Sequence, residues 1–146
     1  MPNWCEGTLK IRGTVKQIML FAINAFETAD IRIGDCSNTC IDIFLNNDAW
    51  VKGTHRAFCN GEICFGVDDA NRKVSVALEF RQAWNVNAEP FVELARKANV
   101  DIKIYAFERG LEFNRDVEII NGELIKNETI EFDDYDWDCI CPLLGG

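Results

Sequence analysis

The chain has 146 residues, with 48% apolar and 27% charged residues, values typical of one soluble globular domain. Its net charge of −9 at pH 7 argues against general nucleic-acid binding and is compatible with a basic partner. No apolar stretch approaches the roughly 18 residues that span a membrane. No basic region followed by an apolar segment opens the chain, so we expect no secretory signal and a cytoplasmic location.

The first predicted elements are a strand and a helix. Residues 9–13 are expected to form the strand, and Thr14 and Gln17 then have the spacing of a capping box. Apolar residues recur at helical spacing over residues 15–28, which predicts an amphipathic helix. Trp4 is expected to be buried, because a terminus frays unless it is anchored.

The middle of the chain predicts short strands and turns. Residues 30–34 form a weak strand candidate and residues 40–45 a better one, and the polar residues 46–48 are expected to end it. Asn60-Gly61 separates two strand-like runs over residues 56–65, which predicts a hairpin with a two-residue turn.

The second half predicts one strand, one helix and then three strands. Apolar residues alternate over residues 74–80, and a helix with Pro90 in its first turn is expected to end at Asn99. Gly110 and Asn121-Gly122 are turn signals. The strands they separate are residues 101–108, 111–120 and 123–132.

This order of elements predicts a single α+β domain over residues 1–146. The pattern contains a ferredoxin-like β-α-β-β-α-β core, a mainly antiparallel sheet with two helices on one face. An inserted hairpin and a C-terminal strand extension would complete the domain.

Two blocks of the sequence resemble a known family. The first is Met1-Pro2-Asn3-Trp4-Cys5 through Gly13. The second runs from residues 76–80 and Trp84 to residues 104–113, with residues 85–89 inserted before Pro90 and a shorter middle region. They are similar to proteins of the YubB type, often encoded by phages or plasmids. The resemblance implies a ferredoxin-like fold and a mobile genetic element, and it supplies no catalytic residue.

Seven cysteines invite a metal hypothesis, and they are expected to be mostly thiols because no secretory signal is visible. Cys36, Cys40, Cys59 and Cys64 could form a four-thiolate zinc site. The predicted hairpin would hold Cys59 and Cys64 as diagonal neighbours in a stretched arrangement. We therefore expect no metal and no cofactor, with the thiols acting as small buried groups.

Other candidate chemistry is weak, so we expect no enzymatic activity. Cys139 and Cys141 are spaced too closely for a common redox pair. The single histidine, His55, is expected on the surface, too far along a strand from Cys59 to form a nucleophilic pair. Glu108 and Glu112 flank a turn and are expected to be solvated, and no glycine-rich phosphate loop is present.

The acidic C-terminal region is the main candidate for partner binding. If it is extended, Tyr135 and Trp137 share one face and Asp134, Asp136 and Asp138 the other, with Asp133 on the aromatic side. We expect it to bind a host or anti-phage defence protein with a basic surface, in the host bacterial cytoplasm, and a homodimer is possible.

Two alternatives stay open. Lys103, Tyr105 and Phe107 alternate along one strand, which is a faint version of the aromatic sheet face that binds RNA. A nucleic-acid-binding ferredoxin-like module is therefore the second hypothesis, although the acidic charge makes nucleic acid an improbable partner. An enzyme whose site leaves no recognisable motif is the third.

Overall fold

The computed structural model describes residues 1–27, 30–33, 40–66 and 71–146, without the side chains of residues 30–33, 40 and 46. These residues form eight strands and three helices, in the order β1 (Trp4–Thr14), α1 (Val15–Ala25), β2 (Asp30–Ile33), β3 (Cys40–Trp50), β4 (Ala57–Gly66), β5 (Lys73–Ala83), α2 (Glu89–Ala98), β6 (Asp101–Glu108), β7 (Phe113–Ile120), β8 (Glu123–Glu131) and α3 (Tyr135–Asp138).

The eight described strands form one sheet in the order β2-β3-β4-β5-β1-β6-β7-β8. Every pairing in it is antiparallel. The first strand, β1, lies near the middle, between β5 and β6. Because β5 and β6 are both antiparallel to β1, the segment that contains α2 must cross over β1 to connect them.

The prediction of a ferredoxin-like fold is wrong. The described chain is a large antiparallel sheet of eight strands with three small helices, not a compact four-stranded core with two helices packed on one face. Most elements occur in the predicted order, but that order does not determine which strands pair. Three strands extend the sheet beyond β5 and two extend it beyond β6.

The apolar core combines α1 and α2 with alternate residues of the strands. In β1 the residues that enter it are Cys5, Leu9 and Ile11, all fully buried, and Phe21 and Phe91 are its largest helical members. Trp4, Glu6, Thr8, Lys10 and Arg12 alternate with them and lie on the opposite surface of the sheet. We call that surface the open face.

Local signals near the helices are confirmed. Thr14 accepts a hydrogen bond from the backbone N–H of Gln17, whose side chain accepts one from the N–H of Thr14, so α1 begins with the predicted capping box. Helix α2 ends at Asn99 in the left-handed conformation with φ of 55°. Asn121 and Gly122 both have positive φ and connect β7 to β8, as expected of a hairpin turn.

The predicted hairpin at Asn60-Gly61 is wrong, because both residues lie inside the continuous strand β4. Gly61 pairs with Leu45 of β3, so the neighbouring strand holds this region extended. The hairpin turn instead covers residues 51–56, between β3 and β4.

Residues 46–48 also do not end β3, which continues to Trp50. A shift in the pairing register with β4 occurs between Leu45 and Ala49, and Asn47 and Asp48 in that gap have positive φ. The polar run is therefore a bulge within the strand.

None of the described helices is long and apolar enough to cross a membrane.

Candidate functional site

A groove with a volume of about 380 Å³ lies on the open face. Pairing across four strands brings Phe58, Arg81, Glu6 and Phe107 into one row. The groove is lined by Glu6, Gly7, Thr8, Asp48, Phe58, Asn60, Glu79, Phe80, Arg81, Phe107 and Leu144. It thus combines aromatic rings with charged groups on a rigid sheet.

A hydrogen-bonded network closes one side of the groove. Asn60 donates to Asp48 Oδ1 at 2.6 Å and accepts from the backbone N–H of Asp48 at 2.9 Å. The other carboxylate oxygen of Asp48 forms an ion pair with Arg81. Asp48 lies in the bulge of β3 and has a positive φ. This strained backbone conformation directs its carboxylate into the network.

Two carboxylates in the groove have no such partner. Glu6 and Glu79 lie diagonally across β1 and β5, and neither forms an ion pair or side-chain hydrogen bond with any described residue. Arg81 is directly opposite Glu6 in the register, but its guanidinium pairs with Asp48 instead. The two carboxylates are therefore available to accept hydrogen bonds from a ligand.

Aromatic and cationic side chains alternate next to the groove. Arg56 lies between two indoles, with its guanidinium carbon 5.5 Å from the ring centre of Trp4 and 5.6 Å from that of Trp84. Arg81 lies 4.4 Å from Trp4, and the rings of Trp4 and Phe58 meet edge to face at 6.2 Å. The imidazole of His55 stacks on Trp84 at 5.9 Å. We call these six residues the Trp4 cluster.

The backbone is strained at two positions of this cluster. Arg56 and Trp84 have φ of 52° and 64°, values that residues other than glycine rarely adopt. The N–H of Trp84 donates to the carbonyl of Asn3 at 2.7 Å, and the carbonyl of Arg56 accepts from Ala83. Such strain, held by neighbouring hydrogen bonds, is concentrated at functional sites in many proteins.

Trp4, which the sequence predicts to be buried, is half-buried and packs against Phe58 of β4. It lies on the open face among charged groups instead of in the apolar core. Its anchoring comes from Phe58 and the two arginines, so the side chain belongs to a surface site as well as to the fold.

The C-terminal segment, residues 133–146, packs on the open face on the side of β6 and β7. Tyr135 is only 2% exposed and donates a hydrogen bond to Asn114 Oδ1 at 2.7 Å. The amide nitrogen of Asn114 lies 3.2 Å from the hydroxyl of Tyr105 and 3.4 Å from the sulfur of Cys139. This buried network fixes the segment to β6 and β7.

The end of the segment reaches Trp4. The backbones of Gly146 and Trp4 exchange two hydrogen bonds of 2.9 and 3.2 Å, beyond the end of the β1–β6 pairing. Gly145 has φ of 81°, and a Cβ atom there would lie 2.1 Å from the carbonyl oxygen of Phe107. Only glycine permits this approach, which also places Leu144 in the wall of the groove.

The predicted arrangement of Tyr135 and Trp137 on one face is wrong. Residues Tyr135–Asp138 form one helical turn, and Asp134 caps it by accepting from the N–H of Trp137. Tyr135 therefore points into the protein, while Trp137 is 84% exposed. Ile140 and Leu143 are exposed beside it, at 96% and 77%.

A buried polar cluster lies on the core side of the same sheet end. Glu108 accepts hydrogen bonds from the N–H groups of Gly110 and Leu111 at 3.0 and 2.6 Å, so it is buried and not solvated as predicted. The pKa of Cys5 is raised to about 12, mainly by burial and to a smaller extent by the charge of Glu108. A raised pKa disfavours the thiolate, the nucleophilic form of the thiol, at neutral pH.

Arg115 completes this cluster and ties together three parts of the chain. It donates to Thr129 at 2.9 Å, to the carbonyl of Val86 at 3.3 Å and to the side chain of Asn127. Burial lowers its pKa, because desolvation disfavours the charged form. These partners are structural, since they fix β8 and the segment before α2 to β7.

The four cysteines of the hypothetical zinc site are not brought together in the described structure. Cys36 lies outside the described residues, and only the backbone of Cys40 is described. Cys59 and Cys64 lie five residues apart on β4, the first buried and the second exposed. They point to opposite faces of the sheet, so those two cannot bind one metal ion. No group of three potential metal ligands occurs among the described residues.

The remaining sequence candidates are dispersed. His55 is exposed, as predicted, and Cys59 is buried away from it. Of the candidate redox pair Cys139 and Cys141, the first thiol is buried while the second is exposed. Lys103, Tyr105 and Phe107 do share the open face, but Tyr105 is bound to Asn114 beneath the C-terminal segment. Phe107, the other aromatic residue of this set, lines the groove.

No family model, curated protein or solved structure matches the chain. The similarity to YubB-type proteins therefore remains an expectation from the motifs. Structurally, the residues that carry it converge at one end of the sheet. The carbonyl of Asn3 binds Trp84, and the side chain of Asn3 packs against Gly110.

Sequence reasoning missed the groove and the role of the arginines. Arg56 and Arg81 were assigned no function, because their partners Trp4 and Trp84 are far away in sequence. The two tryptophans lie in the blocks that resemble a known family, and they are the one signal that the sequence offers for this site. Arg56 lies outside both blocks, so only the fold brings it to them.

Proposed function

We propose that the protein binds another protein that has a basic surface, through its acidic C-terminal region. The observation that carries the proposal is the coincidence of negative charge and exposed apolar side chains there. Residues 133–146 contain four aspartates and no lysine or arginine, a net charge of −4 out of −9 for the whole chain. The most exposed large apolar residues of that region are Trp137, Ile140 and Leu143.

The segment has the physical properties of a binding surface. Tyr135 and Cys139 anchor it, so a partner would not have to order a free tail and would lose less affinity to entropy. An exposed tryptophan can supply the buried centre of an interface. The surrounding aspartates would steer a basic partner and raise the association rate at low salt.

A host or anti-phage defence protein in the bacterial cytoplasm is the proposed partner. The similarity of Met1–Cys5 and of residues 104–113 to YubB-type proteins supports this choice, since those proteins are often carried by phages and plasmids. The chemistry of the described residues favours a binding protein over an enzyme, because burial raises the pKa of Cys5 and His55 stacks on Trp84.

The test removes charge without removing the helix cap. Asp134, Asp136 and Asp138 are replaced together by Asn, which caps a helix as well as Asp does. The control replaces Glu123, Glu128 and Glu131 of β8 by Gln, which changes the net charge equally at another place. We expect capture of a protein from bacterial lysate to be lost with the Asn variant and retained with the Gln variant.

A second comparison tests the apolar part. Trp137→Ala should abolish capture, whereas Leu111→Ala, which truncates another exposed apolar residue, should not. Association rates measured at low and high salt should be lower for the Asn variant mainly at low salt. Equal capture by the wild type and the Asn variant, with equal salt dependence, would refute this function.

A further inference from the structure

We propose that the Trp4 cluster and the adjoining groove bind a nucleotide, with the phosphate at Arg56 and the base in the groove. This site lies outside the acidic surface of the proposed function and does not depend on it. The proposal rests on an unpaired cation, two unpaired carboxylates and aromatic walls within one contiguous surface.

Arg56 is the phosphate-binding group. It makes no ion pair with any described residue, although the chain has a net charge of −9. Its guanidinium carbon lies within 5.6 Å of the ring centres of Trp4 and Trp84, and the residue is exposed. Contact with two rings limits the positions of the guanidinium, and its planar fork matches phosphate oxygens.

The groove supplies the base-binding surface. Glu6 and Glu79 are acceptors without donors, and they suit the exocyclic amino groups of adenine, cytosine or guanine. Phe58 and Phe107 border them and offer ring surface for stacking. The volume of about 380 Å³ lies at the lower end of the range for small-ligand sites, roughly 300–1,000 Å³.

The two halves are close enough for one ligand. The ring of Trp4 contacts both the guanidinium of Arg56 and the ring of Phe58, which lines the groove. A single indole therefore separates the phosphate-binding group from the base-binding surface. A ligand that carries only a cation would satisfy the carboxylates but would be repelled by Arg56, and a simple anion would be repelled by the carboxylates.

The proposal is tested by calorimetric titration of the whole protein with AMP, CMP, UMP and adenosine. We expect AMP and CMP to bind more tightly than UMP, which lacks an exocyclic amino group. Arg56→Gln should weaken AMP binding about tenfold or more, since it removes a charge-assisted contact, and should leave adenosine within about twofold. Arg56→Lys keeps the charge but not the planar fork of the guanidinium, so its AMP affinity should lie between those of the wild type and of Arg56→Gln.

Two further variants keep the test specific. Arg72→Gln removes an exposed arginine elsewhere and should leave AMP affinity unchanged. Glu6→Gln should reduce the preference for AMP over UMP. It should leave the ratio of AMP affinity to adenosine affinity, which measures the contribution of the phosphate, unchanged. Melting temperatures of all variants verify that each is folded.

Short adenine oligonucleotides distinguish a free nucleotide from a nucleic-acid strand as the source of the same chemistry. Tighter binding of the oligonucleotide than of AMP, still sensitive to Arg56→Gln, would support the site with a strand as its ligand. Absence of AMP and oligonucleotide binding at millimolar concentration would overturn the proposal. An equal loss with Arg72→Gln and Arg56→Gln would also overturn it, because the effect would then be general charge.

Discussion

The Trp4 cluster and the C-terminal segment border the same open face but differ in charge and in exposure to solvent. In the cluster, Arg56 and Arg81 are cations held against aromatic rings that are partly withdrawn from water. In the segment, aspartates flank Trp137 in the sequence, and its side chain is largely exposed to solvent. The comparison shows that a net charge of −9 does not describe the surface locally, since two arginines lie in the cluster and four aspartates lie in the segment.

The two regions also differ in how they are fixed. Trp4, Phe58 and Arg81 of the cluster lie on β1, β4 and β5, whose register in the sheet sets their geometry, and the other three residues lie directly beside these strands. The C-terminal segment depends on a few contacts, chiefly the bond between Tyr135 and Asn114 and the pairing of Gly146 with Trp4. We therefore expect the cluster to be rigid and the segment to be the easier part to detach.

The largest expected effect comes from Trp4→Ala. It removes the ring that packs against Phe58 and two guanidinium groups, and it should lower the free energy of unfolding by about 2–4 kcal/mol. Trp137→Ala is the matched control and should change stability by less than about 0.5 kcal/mol. Denaturant unfolding measures both, and equal losses would show that the two regions do not differ as described.

An intermediate effect is expected at alkaline pH. Burial raises the pKa values of Cys5, to about 12, and of Tyr135, so both groups stay neutral in the folded protein. In the unfolded chain they ionise near about 8.5 and 10. The unfolded state then binds fewer protons, so stability is full below about pH 8 and falls by up to about 1.4 kcal/mol per pH unit for each group above its unfolded pKa.

Single variants separate the two contributions to this pH dependence. Cys5→Ala should reduce the slope of stability against pH from about pH 8.5 upward, and Tyr135→Phe only from about pH 10 upward. Unfolding curves from pH 7 to 11 measure both slopes. A wild-type stability that is flat over this range would contradict the burial of both groups.

At neutral pH, Tyr135→Phe tests the anchor of the C-terminal segment. It removes the hydroxyl that donates to Asn114 and leaves a buried acceptor unpaired, which should cost about 1–2 kcal/mol. If the segment detaches separately, hydrogen exchange should rise in residues 133–146 and stay unchanged in β1. Faster exchange throughout β1 would mean that the segment and the cluster unfold together.

The sequence predicted those parts of the fold that depend on neighbours along the chain. The capping box at Thr14, the stop at Asn99 and the turn at Asn121-Gly122 are each closed by residues a few positions away. Asn60-Gly61 carries an equally strong turn signal and yet lies within β4, because pairing with Leu45 of β3 outweighs it.

The candidate site could not be predicted in the same way. Its row of residues, from Phe58 through Arg81 and Glu6 to Phe107, comes from four strands that are distant in sequence. Their alignment depends on register, which the sequence does not encode as a local pattern. The acidic region was recognisable from composition, but its helical turn reversed the expected direction of Trp137.

The smallest expected effect concerns an ion pair far from both regions. Burial opposes ionisation of Asp101, but hydrogen bonds from Arg12 and from the N–H of Asn121 outweigh it and lower its pKa. Its contribution to stability is therefore present above its unfolded pKa of about 3.9 and is lost as the pH falls through the lower folded pKa. Because Arg12 is about half exposed, Asp101→Asn should cost less than about 1 kcal/mol at pH 7, and the difference from wild type should shrink at a strongly acid pH, where Asp101 is protonated. Unfolding curves at both pH values measure it, and a loss as large as that of Trp4→Ala would show that this exposed end of the open face is as stabilising as the Trp4 cluster.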